Sequence, residues 1–286
     1  MTSHTHGDSD SRDCGFFFLD VVGQFSRDDL AVHWSDQPRP STDAIDLQIE
    51  QVWQEQTRQA KESGRRLYNG RLARLVSYAQ HDKKLELNLG PVSFKEFLGT
   101  NLTNASMRYQ HGTEVLADAL GVSAAIITSD SYILLGRRSQ QVMFHAGLLH
   151  PLGGIVELES QDKVDPFEVI ETELAEEAGL DRRRIQQTLC LGLVRDKKIV
   201  QPELIFGVTV DVEAGALREQ AANAPDSFEH TELVAARNES SSLVAFIGQN
   251  FAELTPVAVA TLLLHGMKCW GSGWFTAARG YLRKVI

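Results

Sequence analysis

Three glutamates, Glu173, Glu176 and Glu177, stand at i, i+3 and i+4 in the segment Glu171-Thr-Glu-Leu-Ala-Glu-Glu-Ala-Gly-Leu180. On a helix that spacing places three carboxylates on adjoining parts of one surface. Like charges so spaced destabilise a bare helix by roughly 0.2–0.5 kcal/mol per pair. A hard divalent cation turns the repulsion into coordination, because Mg²⁺ takes oxygen ligands and completes its octahedron with water and substrate phosphate. A solvated acidic face is the competing explanation for three glutamates taken alone. Their surroundings decide between the two.

The surroundings specify a helix from Pro166 to Ala178. Asp165 suits its N-cap, Pro166 its first turn, and Glu168 the carboxylate position of a capping box. Gly179 can take the left-handed conformation that ends it. Phe167, Ile170, Leu174 and Ala178 form one apolar stripe that predicts a core-facing side. Upstream, a loop follows His150-Pro-Leu-Gly-Gly154 and leads into the helix.

Together the glycine pair, the stripe, the caps and the Glu-x-x-Glu-Glu-x-Gly ending resemble the Nudix box, G-x5-E-x7-R-E-U-x-E-E-x-G-U with U aliphatic. The resemblance implies a loop–helix–loop on an α/β (α+β) sandwich with a mixed sheet. It also implies Mg²⁺, or Mn²⁺, on Glu173, Glu176 and Glu177, joined by the carbonyl of Gly153. Two departures stand out. Thr172 occupies the arginine position, and Gly154 to Glu173 spans 19 positions (173 − 154) against 15 in the pattern. Four residues are thus inserted around Ser160–Val164, and the arginine and its upstream glutamate partner are both displaced. Glu157 and Glu159 are the available substitutes for that glutamate.

Outside the box, Ser93-Phe-Lys-Glu-Phe-Leu-Gly-Thr-Asn101, Leu120-Gly-Val122, Gly136-Arg-Arg-Ser139 with Gln141 and Val142, and Phe251-Ala-Glu-Leu-Thr-Pro256 resemble the branch of the family that hydrolyses UDP-glucose and UDP-galactose in animals. That branch implies cleavage of a UDP-sugar to UMP and a sugar 1-phosphate. It also implies an extension ahead of the Nudix core. A general base on the acidic loop Asp226–Glu232 follows from the same resemblance, with Glu229 the first candidate and Glu232 the second. Other expectations compatible with the box are hydrolysis of ADP-ribose or another nucleotide, or a catalytically silent binding or regulatory module.

The remaining candidates are weighed on residue type. An arginine fork suits phosphate, and Arg137 and Arg138 follow a strand, so at most one points into a pocket from the strand proper. Alternation groups Arg138 with Tyr132, Leu134 and Gly136, and Arg137 with Ile133 and Leu135. Asn101 is a candidate for holding sugar or base, or for capping a turn. His145 and His150 flank the loop before the box, where unpaired histidines are more often structural.

The elements that must carry these groups are mixed. Phe16–Val22, Leu67–Tyr78, Lys84–Leu89, Ser123–Thr128, Tyr132–Arg138, Cys190–Val194, Leu204–Val212 and Glu232–Arg237 read as strands, with Ser129-Asp130 as a turn. Ser41–Lys61 and Thr255–Met267 read as helices. The expected organisation is a disordered leader over 1–13, an N-terminal extension or small domain over 14–112, and a Nudix domain over 113–286. Residues 1–66 could add strands, form a lid or dimer contact, or stand alone.

The bulk numbers set limits. A net charge of −10 disfavours nucleic acid as a partner, but a metal and a few arginines can reverse the field locally around a small nucleotide-sugar. Mean hydropathy is −0.19, and no apolar run reaches membrane-span length. Three scattered cysteines and a polar N-terminus predict the cytoplasm. A homodimer remains open.

Overall fold

The computed structural model describes residues 13–64, 67–158 and 163–285. The expected leader therefore lies outside the described residues except for Asp13, as do Glu159 and most of the inserted segment. In chain order the elements are β1 (Phe17–Phe25), β2 (Leu30–Trp34), α1 (Asp43–Glu62), β3 (Arg71–His81), β4 (Lys84–Ser93), β5 (Gly121–Ile127) and β6 (Tyr132–Arg138). They continue with β7 (Leu149–His150), β8 (Leu152–Ile155), α2 (Pro166–Ala178), β9 (Ile185–Asp196), β10 (Pro202–Val210) and α3 (Ala214–Ala221). The chain closes with β11 (His230–Arg237), α4 (Ser240–Asn250) and α5 (Pro256–Val285).

Eight strands form one mixed sheet in the order β1-β9-β10-β5-β6-β11, with β7 beside β6 and β8 beside β5. Strands β10 and β5 run parallel; the other pairings in this sheet are antiparallel. One face is covered by α2 and α3 through Phe167, Ile170, Leu174 and Leu217, packed on Leu134, Leu193 and Phe206. The other is covered by α4 and α5 through Leu243, Ile247, Leu262 and Leu263, packed on Ile133, Leu135 and Ile205. The architecture is the expected α/β/α sandwich. Strand alternation creates it: Leu134 faces one layer while Ile133 and Leu135 face the other.

A second sheet, β2-β4-β3, adds Leu75, Leu85, Leu87 and Leu89 to the α2 side of the core. The Ala73 N–H donates to the Val156 carbonyl and the Leu158 N–H to that of Arg71, so β3 borders the loop that precedes α2. Strand β1 pairs along β9 from Phe17↔Asp196 to Phe25↔Cys190. Both blocks of the chain thus contribute to one core.

Helix α2 begins and ends where its text says. The Asp165 side chain accepts from the Phe167 N–H, and Gly179 closes the helix at φ +63°. Strands β2, β7 and β8 and helices α3 and α4 were not anticipated. Helix α5 runs past Met267 to Val285, with a break at Gly271, φ +85°.

Candidate active site

Of the α2 glutamates, Glu173 and Glu176 line a cleft of about 1100 Å³, while Glu177 is buried and is not among its lining residues. Gly153 and Gly154 lie on β8 directly beneath them. A Cβ on Gly154 would meet the Glu173 carboxylate, and one on Gly153, at φ +147°, would meet the Val122 carbonyl. Gly154 thus leaves room for the Glu173 carboxylate, and Gly153 lets β8 lie close against the β5 backbone at a positive φ. The Gly153 N–H donates to Glu177 Oε2 at 2.9 Å, and His230 Nε2 lies 3.3 Å from the same oxygen. Glu177 is 3% exposed, Glu173 half-buried and Glu176 exposed. Burial pushes the Glu173 carboxyl up to about 8, reinforced by Glu177, Glu176, Glu229 and Glu157.

Oxygen is the donor type these side chains offer, they repel one another, and Gly154 leaves the space between them open. That combination fits a hard divalent cation. Among the described residues no three carboxylate, imidazole or thiol groups already converge as a cage. An ion that keeps water and phosphate in its shell does not require one.

Glu229 ends a 3-10 turn over Ser227–Glu229 and lines the cleft. Burial raises its carboxyl, and the Glu177 charge raises it further. The turn is tied to the box helix, because the Asp226 N–H donates to the Glu176 carbonyl at 2.9 Å. Glu232 points elsewhere. It pairs with Arg137 at 2.7 Å, and Arg137 also meets Glu253 at 2.8 Å, so neither Arg137 nor Glu232 lines the cleft. Arg138 does line it, with Nε donating to the Phe144 carbonyl at 3.1 Å. Asn101 is buried away from the cleft lining. It donates to Asp118 and to the Ile199 carbonyl and accepts from the Asp118 N–H. Those bonds, from within the helical segment Leu98–Leu102, brace the turn after β9.

His145 and His150 both line the cleft. His150 Nδ1 lies 2.8 Å from Thr255 Oγ1, and burial holds its imidazole well below the ordinary range. Four further residues were not singled out from sequence. His230 faces Glu177 and Phe228, 56% exposed, lines the cleft. Glu203 is buried in the cleft wall, and Arg27 reaches α2 from the N-terminal block. Glu203 had a readable signal, an acid opening the apolar run Leu204–Val208. Arg27, 138 positions from its partner Asp165, had none.

No family model matches the chain. It is 27% identical over 218 residues to the human uridine diphosphate glucose pyrophosphatase NUDT22, covering 68% of this chain and 72% of that protein. It is 27% identical over 224 residues to Nudix hydrolase 9 of Arabidopsis thaliana, covering 65% and 70% respectively. Over about two thirds of its length the chain is thus similar to Nudix hydrolases. Among solved structures, a Nudix hydrolase from Nitrosomonas europaea is 15% identical, covers 52% of this chain and 89% of that one, and gives a TM-score of 0.36.

Nudix hydrolases generally use divalent metals. In this Nudix box the usual arginine is absent, and the helix is anchored differently. The Thr172 hydroxyl donates to the Glu168 carbonyl and accepts from Arg182 at 2.6 Å. Arg27 pairs with Asp165 and, at 3.3 Å, with Glu171, and stacks over Phe167. Of the two substitutes for the upstream glutamate, Glu157 lines the cleft close enough to raise Glu173, while Glu159 lies outside the described residues.

Proposed function

We propose that this protein hydrolyses the pyrophosphate bond of UDP-glucose or UDP-galactose, giving UMP and a sugar 1-phosphate, with Mg²⁺ as its metal and Mn²⁺ able to replace it. The observation that carries this reading is the packing of Glu173 and Glu177 against the Gly153-Gly154 backbone, beside a cleft lined by Glu173, Glu176, Glu229 and Arg138. The similarity to a uridine diphosphate glucose pyrophosphatase supports the substrate class.

Glu173, Glu176, Glu177 and the Gly153 carbonyl would hold the metal. Bound there, a divalent cation neutralises phosphoryl oxygens and lowers the pKa of the attacking water. Glu229 takes that water's proton, a role suited to a carboxylate whose pKa burial has raised. The water oxygen bonds to one phosphorus, and the bridging oxygen leaves with the other phosphate. Arg138 binds phosphate oxygens, holding the substrate while charge redistributes. The Gly153 N–H holds Glu177 in place, and His230 lies beside the same oxygen.

Residues 14–112 serve as an extension that completes the Nudix core. Support comes from β1 at the sheet edge and from Leu72, Phe94, Phe97 and Leu102 in the cleft lining. No helix among the described residues is long and apolar enough to cross a membrane. Free Cys14, Cys190 and Cys269 suit the reducing cytoplasm as its location.

The test is phosphate-ester release from UDP-glucose and, separately, ADP-ribose, with and without Mg²⁺, beside Glu176→Gln. UMP and glucose 1-phosphate are expected only from wild type with metal. Turnover of ADP-ribose alone would remove the UDP-sugar assignment, and silence on both with folded protein would remove hydrolysis of either.

A further inference from the structure

The hydrolytic groups occupy only part of the cleft. Its wall also carries Glu203 on β10, Asp196 at the end of β9, Gln201 between them, and His145 and His150 before the box. Glu203 is 6% exposed and Asp196 1% exposed, so both carboxylates are removed from bulk water. The Ser123 hydroxyl donates to Glu203 Oε1, and His150 Nε2 lies 3.8 Å from that oxygen. Asp196 Oδ1 accepts from the Lys198 and Ile199 N–H groups and so secures the turn after β9. Its second oxygen has only His145 beside it. It forms an ion-pair contact with His145 Nε2 at 3.3 Å, and neither buried atom has a further hydrogen-bond partner among the described residues.

Buried polar atoms in native proteins are nearly always satisfied, and each exception calls for a cause. A bound ligand is a sufficient one where the atoms line a cleft. The chemistry of the ligand follows from the groups. Two carboxylates repel phosphate, so this wall does not extend the phosphate site. They accept strongly from O–H donors, and a carboxylate can receive two neighbouring hydroxyls at once. The imidazoles add groups that donate or accept as the tautomer requires.

We propose that Glu203, Asp196, His145 and His150 form a second subsite of the cleft, which binds the vicinal hydroxyls of a sugar ring. Two sugars fit that chemistry, the ribose of a nucleotide and the hexose attached to its diphosphate. The subsite rests on the reading of the cleft as a nucleotide-sugar site. Its placement agrees with that reading: Ser123, which donates to Glu203, is the strand partner of Gly153 beneath the glutamates. Arg138, also in the cleft lining, lies close enough to act electrostatically on both Glu203 and Glu229.

Binding of the reaction products tests this without turnover. Calorimetry would compare UMP with 2′,3′-dideoxy-UMP, and glucose 1-phosphate with its singly deoxygenated analogues, on wild type, Glu203→Gln and His145→Asn. Asparagine tolerates the left-handed backbone of residue 145, φ +56°, so that variant keeps the loop if Glu203→Gln disturbs the sheet. A hydroxyl bonded to a carboxylate is expected to tighten binding about tenfold or more. Wild type should show that preference for one pair, which names the sugar, and both variants should reduce it to near unity. A uniform affinity across both pairs, a preference that survives both substitutions, or no binding of any probe would overturn the subsite. UDP-glucose hydrolysis is assayed on the same samples. Binding with the preference but no hydrolysis keeps the subsite and removes the UDP-sugar reading; hydrolysis without the preference does the reverse.

Discussion

Each glutamate of α2 has a different environment, and their substitutions should differ accordingly. Glu177 is fixed by a backbone N–H and faced by a histidine, so Glu177→Gln is expected to lower kcat by at least about a hundredfold, the scale of a lost transition-state contact. The adjacent arginines offer a sharper comparison. Arg138→Ala should cost roughly ten- to a hundredfold in kcat/KM, a charge-assisted bond of about 1.5–3 kcal/mol. Arg137→Ala removes two surface ion pairs and a hydrogen bond to the Gly147 carbonyl, none of them with a cleft-lining residue, and should leave kcat/KM within about a factor of two. Equal losses in steady-state assays would contradict the division of roles. Glu203 gives a pH signature. Burial raises it to about 7 from an ordinary 4.5, with Ser123 and Arg138 opposing and Asp196 adding to the shift. His150 faces the same carboxylate at 3.8 Å. A raised carboxyl contributes stability in full below pH 4.5 and loses it as pH rises through 7. Urea unfolding of the metal-free protein should therefore weaken between pH 5 and 8, by on the order of 3 kcal/mol for this group. Glu173 adds a slope of the same sign, so the difference between wild type and Glu203→Gln isolates Glu203.

At the scale of elements, α2 was legible almost to the residue because its signals are local. Cap, first-turn proline, stripe and terminating glycine all lie within fifteen positions, and the four stripe residues are buried as expected. Asp165→Ala should accordingly cost about 1 kcal/mol by loss of the cap, and somewhat more if its ion pair with Arg27 contributes. Thermal denaturation beside Arg27→Ala would separate the two. The arginine alternation was legible for the same reason, since strand period two is fixed by the backbone, and Arg138 keeps company with Leu134 while Arg137 does not. What sequence could not give is long-range. Arg27 on the box helix and Glu203 beside His150 depend on which strands become neighbours, and Asn101 was open because its partners at 118 and 199 are remote. Helices α3 and α4 escaped for a different cause: Ala214–Ala221 and Ser240–Asn250 have weak boundaries, with no side-chain cap bond at either N-terminus.

At the scale of the whole molecule, the N-terminal block is part of the core. Phe17 and Phe25 are fully or nearly fully buried, and Leu85, Leu87 and Leu89 are completely so. A fragment beginning at residue 113 would expose the apolar partners of these side chains and leave β9 as a bare edge, an aggregation hazard. It is expected to be insoluble or to lack a cooperative melt, whereas a folded, active fragment would show that the extension is dispensable. The pairing of β1 with β9 also has a consequence in time. About 160 residues separate Phe25 from Ile185. At roughly 5–20 residues per second on a ribosome, the first strand emerges about 10–30 s before its neighbour exists. During that interval Phe17, Val21 and Phe25 have no finished sheet to join, and nascent-chain chaperones have a window in which to hold them.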